Sequence, residues 1–250
     1  AMGIPILVLV NLVDDYGNPV MNAYSIGIVH GWAAFCFSNV GNFSRCLDVV
    51  AHEFTHGVTG QFKLGDIYEN ETGAINESYS DIMGNICEFM VTGREDRDWL
   101  IAEDSDGPSR CMRDPNRYGQ PEFVGDVYYM PFTDYINANG NDYGGVHYNS
   151  SLLNYMAVAL DDAGMTLDEQ RHFWLASMHL FTPKTDYDEL YPILLQSLEI
   201  AGLDLDYADV ITAVYEKLHL FGDRRETARQ ATKPGYGRVT VMAAQGELAK

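Results

Sequence analysis

Basic residues are scarce: 16 lysines and arginines stand against 36 aspartates and glutamates in 250 residues, a net charge of −20. Such a surface repels phosphate backbones and anionic headgroups, which excludes nucleic acid as a partner and disfavours acidic membranes. Long apolar runs are also missing. The run at residues 4–10 is strand-length, well short of the roughly 18 apolar residues of a spanning helix, so membrane insertion is excluded. Cysteine is sparse. Cys36, Cys46, Cys87 and Cys111 permit three pairings, and none has metal-ligand spacing. Cys36 and Cys46 flank a short Ser/Asn/Gly loop that would allow a disulfide, whereas Cys87 falls on the apolar side of a helical pattern as a small core residue. Neither an internal repeat nor a low-complexity tract is present. Ala1-Met2-Gly3 reads as a cloning scar, with no signal-peptide pattern after it. What remains is an ordinary globular composition, 46% apolar, enough for one large domain or two lobes. The acidic excess is either a soluble surface or, in part, a set of calcium-binding carboxylates.

His52, Glu53 and His56 form H-E-x-x-H within residues 47–60, where Val49, Val50, Phe54 and Val58 supply a helical apolar stripe. The two histidines therefore share a face. Imidazoles one turn apart can hold Zn²⁺ at about 2.0–2.1 Å, and Glu53 beside the open position can take a proton from water. Alone, the motif also fits a helix with two solvated histidines. A second segment weighs against that: Asn76-Glu77-Ser78-Tyr79-Ser80-Asp81 starts another helical pattern, continuing through Ile82, Ile86, Phe89 and Met90. Glu77 supplies a third ligand, and a His₂Glu set leaves one tetrahedral position for water or substrate, as a catalytic zinc requires. Asp81, one turn further on, either accepts the N–H of a ligand histidine or is a surface carboxylate.

H-E-F-T-H followed by G-A-I-N-E-S-Y-S-D resembles the thermolysin-like family of zinc metallopeptidases. Twenty residues separate His56 from Glu77, one more than is usual there, and the extra residue falls in the loop at 61–66. The resemblance implies an α+β fold with a catalytic cleft between a small N-terminal β lobe and a helical C-terminal lobe. It divides the chain into a truncated β lobe at 1–47, a zinc-binding and helical lobe at 48–221, and a tail of uncertain structure at 222–250. It further implies one catalytic zinc, one structural calcium, secretion from the cell, protein or peptide substrates, and a propeptide of the chain's own as a partner.

Further residues carry over one at a time. Asn22 and Ala23 stand thirty residues before the zinc motif, as the family's substrate-positioning Asn-Ala pair does; they imply strand addition of an extended peptide. Tyr68 in I-Y-E-N-E matches a tyrosine that holds the oxyanion. Asp48, Glu88, Asp98 and Glu103 match residues around a structural calcium, and Leu100 in place of a further acidic residue implies one ion rather than a pair. Arg110 in S-R-C-M-R-D-P matches an arginine that clamps the substrate carbonyl beyond the scissile bond, although Ser109 replaces the usual leucine. In N-D-Y-G-G-V-H-Y-N-S, His147 matches the oxyanion-binding histidine and Asp142 the residue orienting it. Val49, Phe43 and Ile101 imply an apolar primed-side pocket. Only 51 residues precede His52, about half the family's usual length, and residues 37–41 stand where relatives carry a Gly/Asp-rich loop. The cleft's upper wall is thus the part that transfers least.

Elsewhere, residues 4–13 read as a strand stopped by a turn cluster at 14–19, and residues 26–37 as a hairpin through His30-Gly31. Four helices follow from residue 149, separated by Gly164, Pro183 and Gly202, and a short strand is expected at 238–242. The expectation is a zinc endopeptidase. Its rivals are an aminopeptidase, against which the G-G-V-H segment speaks, and a pseudo-protease whose shortened lobe leaves only a zinc-stabilised binding module.

Overall fold

The computed structural model describes residues 3–38 and 40–231; the strand expected at 238–242 lies outside them. β-Branched and aromatic residues near the N terminus form β1 (Ile6–Val10), β2 (Ala23–Val29) and β3 (Trp32–Phe37). The sheet order is β1-β3-β2, with β1 parallel and β2 antiparallel to β3. His30 (φ 50°) and Gly31 (φ 82°) both adopt the left-handed conformation that a two-residue hairpin turn demands. The sheet is buried on β3, where Ala33, Phe35 and Phe37 join the main core. β1 differs: every residue from Ile6 to Val10 is at least 41% exposed, on both faces of this edge strand.

α1 (Leu47–Thr59) packs on α2 (Asn70–Thr92) so tightly that a Cβ at Gly84 would lie 2.6 Å from the Asp48 carbonyl oxygen. Only glycine permits that approach. The stripe expected to bury α1 is corrected at Phe54, which is half-exposed with its ring 5.8 Å from that of Phe35. The side of α1 turned inward carries His52, Glu53, Thr55 and Thr59 beside Val49. Met90 on α2 is exposed as well. At Phe54 the cause is the polar site between α1 and α2: His52, Glu53 and Thr55 take the buried surface of α1 that apolar side chains would otherwise occupy. Cys36 and Cys46 are both buried and free, so the loop between them closes no disulfide.

A two-stranded ribbon, β4 (Leu100–Ile101) and β5 (Arg110–Cys111), follows α2. The helical lobe is completed by α3 (Ala138–Asp162), α4 (Leu167–Met178), α5 (Tyr187–Ala201), α6 (Tyr207–Lys217) and α7 (Arg224–Ala231). Thr166 and Glu169 form a reciprocal capping box at the start of α4, and Gly202 (φ 66°) ends α5. Tyr79, Phe89, Trp99, Leu153, Phe173, Trp174 and Tyr215 are fully buried between these helices. Among the described residues, no helix is long and apolar enough to cross a membrane.

The segment beyond residue 221 does not begin as a loose tail. Arg224, at the start of α7, is buried and donates to Glu71 of α2 (Nε to Oε1, 2.7 Å) and to Asp188 of α5 (Nη1 to Oδ1, 2.9 Å). One planar guanidinium thereby ties three helices together.

Candidate active site

α1 and α2 cross so that His52, His56 and Glu77 meet. His52 Nε2 lies 3.0 Å from His56 Nε2 and 3.4 Å from Glu77 Oε2, and His56 Nε2 lies 3.2 Å from Glu77 Oε1. The remaining ring nitrogens are already engaged. Nδ1–H of His52 donates to Asp81 Oδ1 (2.8 Å), and Nδ1–H of His56 to Asn76 Oδ1 (3.0 Å), with Ser80 Oγ 3.2 Å away. Each Nε2 is thus directed at the meeting point by a hydrogen bond behind it. Glu77 is almost wholly buried, and its Oε2 has no hydrogen-bond partner.

These observations fit a divalent ion. A tetrahedral zinc with ligands at about 2.0–2.1 Å sets its donor atoms about 3.3 Å apart, close to the three separations above. A buried carboxylate oxygen without a donor is costly unless a cation answers it. Electrostatics agree: burial alone would lower the His52 pKa, but Asp81 and Glu77 raise it to about 10. For Glu77 burial pushes upward, yet His147 and His56 hold the carboxyl well below the usual range. The site is built to keep positive charge.

Glu53 lies on α1 between the two histidines in sequence. It is buried, and its carboxylate approaches both imidazoles, one ligand-type atom of each residue lying within 4.8 Å of the others. Tyr68, in the turn before α2, donates its hydroxyl to Glu77 Oε1 and lies 3.3 Å from His147 Nε2. Burial, reinforced by the Glu77 carboxylate, raises the Tyr68 pKa and keeps this hydroxyl a donor.

His147 reaches the site through an unusual turn. α3 is interrupted at Asn141–Gly145, where Asp142 (φ 50°, ψ 48°) and Tyr143 (φ 52°, ψ 31°) precede two glycines that are also left-handed. Each non-glycine residue held there costs on the order of 1–3 kcal/mol, which the rest of the fold must offset. At Gly144 a Cβ would lie 2.4 Å from Asn70 Oδ1, so the D-Y-G-G spacing reflects both conformation and space. The result is an Asp142 carboxylate that accepts the backbone N–H of His147 (2.8 Å) and its ring Nδ1–H (2.6 Å). The His147 ring is held with Nε2 facing Glu77 at 3.5 Å. Enclosure works against its charged form, but Glu77 and Asp142 outweigh it and raise its pKa.

The structure also redistributes expected residues. Arg110, on β5, directs Nε (3.0 Å) and Nη2 (2.6 Å) at the two oxygens of Asp81, so this guanidinium sits behind His52 as well as beside the site. Together with its other donors it holds the Asp81 pKa down to about 2, against the effect of burial. Asp81 is accordingly no surface carboxylate; it is completely buried. Asn22 is exposed at the head of β2, an outer strand of the sheet, where its Oδ1 accepts the N–H of Ala23 (3.0 Å) and its carbonyl that of Ser38. Asn76, Ser80 and Tyr143, whose ring meets Tyr68 edge-on at 5.4 Å, were not singled out in the sequence. For Asn76 the signal was available: an amide at the position before Glu77 and across from His56.

A second cluster lies at the far end of α1 and α2. One oxygen each of Asp48, Glu88 and Glu103 come within 4.8 Å of one another. Asp48 Oδ1, Glu88 Oε2 and Glu103 Oε2 are buried without hydrogen-bond partners. Burial raises all three pKa values; the neighbouring carboxylates Glu103 and Asp48 add to it at Glu88, which reaches about 8, Asp48 and Asp98 add to it at Glu103, and Asp81 adds to it at Asp48. Asp98, expected in the same set, stands outside it, and Arg94 links the two by pairing with Asp98 and, at 2.9 Å, with Glu103 Oε1.

The family model described as "Thermolysin metallopeptidase, alpha-helical domain" matches residues 65–218. The neutral protease NprE of Bacillus pumilus is 32% identical over 201 residues, covering 75% of this chain and 62% of that protein. Bacillolysin of Bacillus caldolyticus is 33% identical over 171 residues, covering 62% of this chain and 29% of that protein. The chain therefore spans less than two thirds of the length of these relatives. Among solved structures, a precursor of protealysin, a metalloproteinase from Serratia proteamaculans, superimposes with a TM-score of 0.66 at 23% identity, covering 87% of this chain and 70% of that one. That likeness establishes the shared α+β fold. With the family's helical domain matched across residues 65–218, and with His52, Glu53 and His56 grouped on α1 within reach of Glu77 on α2, the chain belongs to the thermolysin metallopeptidase family.

Proposed function

We propose that the chain is a zinc-dependent endopeptidase that hydrolyses peptide bonds of proteins or peptides. The observation that carries this reading is the convergence of His52 Nε2, His56 Nε2 and the Glu77 carboxylate, whose Oε2 lacks a hydrogen-bond donor, with Glu53 beside them. His52, His56 and Glu77 would hold the ion. When bound, zinc lowers the pKa of water towards neutrality and polarises a carbonyl. Glu53 removes the proton from the attacking water and delivers one to the leaving amine. Nε2–H of His147 and the hydroxyl of Tyr68 donate to the scissile carbonyl oxygen as it gains charge, and Asp142 keeps the His147 ring turned for that bond. Asn22 and Ala23 offer the outer edge of β2 to an extended peptide, and Arg110 faces the substrate beyond the scissile bond. The family's zinc, its protease activity in relatives and the complete set of named side chains support this reading over a binding module.

Asp48, Glu88 and Glu103 would hold one structural calcium, supported by three buried oxygens that lack donors. Val49, Phe43 and Ile101 suggest an apolar residue on the primed side, and export from the cell suits such an enzyme. The solved neighbour is a precursor, which supports a propeptide as a further partner.

The test is hydrolysis of an internally quenched peptide by metal-quantified protein, with cleavage sites mapped on a peptide mixture. Expected are one zinc per chain, activity lost on zinc removal and restored on its return, and cuts before apolar residues. Stoichiometric zinc with no cleavage would transfer support to the binding module. Within the active protein, His147→Ala is expected to lower kcat by about 10²–10³-fold with little change in KM, the effect of losing one oxyanion donor. A KM defect at unchanged kcat would instead assign His147 to ground-state binding.

A further inference from the structure

The hydrogen bond to His52 is only one of those Asp81 makes. Its Oδ1 accepts from His52 Nδ1 and Arg110 Nη2, and its Oδ2 accepts from Arg110 Nε at 3.0 Å and from Asn154 Nδ2 at 2.8 Å. Asn154 is completely buried on α3. Which end of its amide faces Asp81 follows from its other contact: Ser78 Oγ donates to Asn154 Oδ1 at 2.7 Å. A hydroxyl donating to the oxygen leaves the NH₂ for the carboxylate, whereas the reverse orientation would set two acceptors against each other. Ser78 and Asp81 both belong to α2, so Asn154 bridges two points of one helix from another.

Asn154 also lies seven residues after His147, two turns along the same face of α3. A single helix therefore brings one group to the front of the site and another to its rear.

We propose that Asn154, oriented by Ser78, is a positioning residue for the metal centre: it holds the Asp81 carboxylate in the plane from which it directs His52. This inference rests on the reading of His52, His56 and Glu77 as zinc ligands. Arg110 alone satisfies one lone pair on each Asp81 oxygen; Asn154 supplies the last donor and stops the carboxylate from pivoting about its clamp. Without Asn154, the hydrogen bond that directs His52 Nε2 loses its fixed partner, and affinity for zinc falls.

The experiment is a zinc titration of the full chain against a competing chelator, with the thermal midpoint of the metal-free protein measured in parallel. Asn154→Ala is expected to weaken zinc binding about tenfold, the low end of the range for groups that support metal ligands. Ser78→Ala, which removes only the group that orients the amide, is expected to weaken it about threefold by the same reasoning. Asn154→Asp, which sets a second carboxylate against Asp81, is expected to be worse than alanine. A lower midpoint with zinc affinity unchanged from the parent in folded Asn154→Ala overturns the proposal, leaving Asn154 a packing residue. If Asn154→Ala does not fold, Ser78→Ala decides by the same criterion. A parent chain that binds no zinc would overturn the metal-centre reading itself, an outcome distinct from equal affinity in parent and variant.

Discussion

Replacing Glu53 by glutamine is expected to lower kcat/KM for peptide hydrolysis by about 10²–10⁴-fold, the usual contribution of a positioned acid-base group. Glutamine keeps the shape of the side chain and its burial on α1 but cannot accept the proton. Zinc stoichiometry should stay at one per chain, because the atoms meeting between α1 and α2 belong to His52, His56 and Glu77. KM should change little, since the lost interaction develops only in the transition state. Kinetics on the quenched peptide, run beside metal analysis of the same sample, separate the outcomes. Near-parental turnover in Glu53→Gln would remove Glu53 from the chemistry. A loss of zinc together with activity would make it a ligand, the other role its position beside both imidazoles allows.

Calcium is expected to raise the thermal midpoint by about 5–10 °C at a concentration near one hundred times its Kd. That figure combines roughly 2.7 kcal/mol of linkage stabilisation with the size of the unfolding entropy in a chain this long. The sign of its pH dependence follows from Glu88, whose pKa rises from 4.5 to about 8 on burial beside Glu103 and Asp48. Its folded value lies above its unfolded value, so the stability it contributes is fully present below pH 4.5 and is lost as pH rises through about 8. Calcium-depleted protein should therefore weaken across that interval. Calcium requires the ionised carboxylates, so its stabilisation should grow over the same range. Glu88→Gln should flatten both trends. Melting curves at several pH values, with zinc held constant, check this; a calcium effect that is unchanged in Glu88→Gln would remove the site.

Several features were legible in the sequence because they depend on local periodicity. H-E-x-x-H puts two imidazoles on one helical face whatever surrounds it, and the apolar pattern through Ile82, Ile86 and Phe89 orients Glu77 on the next helix. The hairpin was equally legible, because His30-Gly31 between two strand-like runs leaves little choice of turn. Periodicity misled where the site itself needed burial: Phe54 fits an apolar stripe but is half-exposed, its place inside taken by His52, Glu53 and Thr55. Likewise, an apolar run such as Ile6–Val10 signals a strand but not its place: it forms an edge strand exposed on both faces.

By itself, then, the sequence put His52 and His56 on one helical face and Glu77 on the next helix, and it carried the resemblance to the family. Only the tertiary structure decided which charges face one another. Arg94 pairs with both Asp98 and Glu103, Arg110 is directed to Asp81, Arg224 ties α7 to α2 and α5, and Asn154 reaches Asp81 across 73 residues of chain. The reason is physical. A ligand motif is set by the rise and twist of one helix, whereas the partner of a buried charge is chosen by whichever distant donor the packed core brings within hydrogen-bond reach.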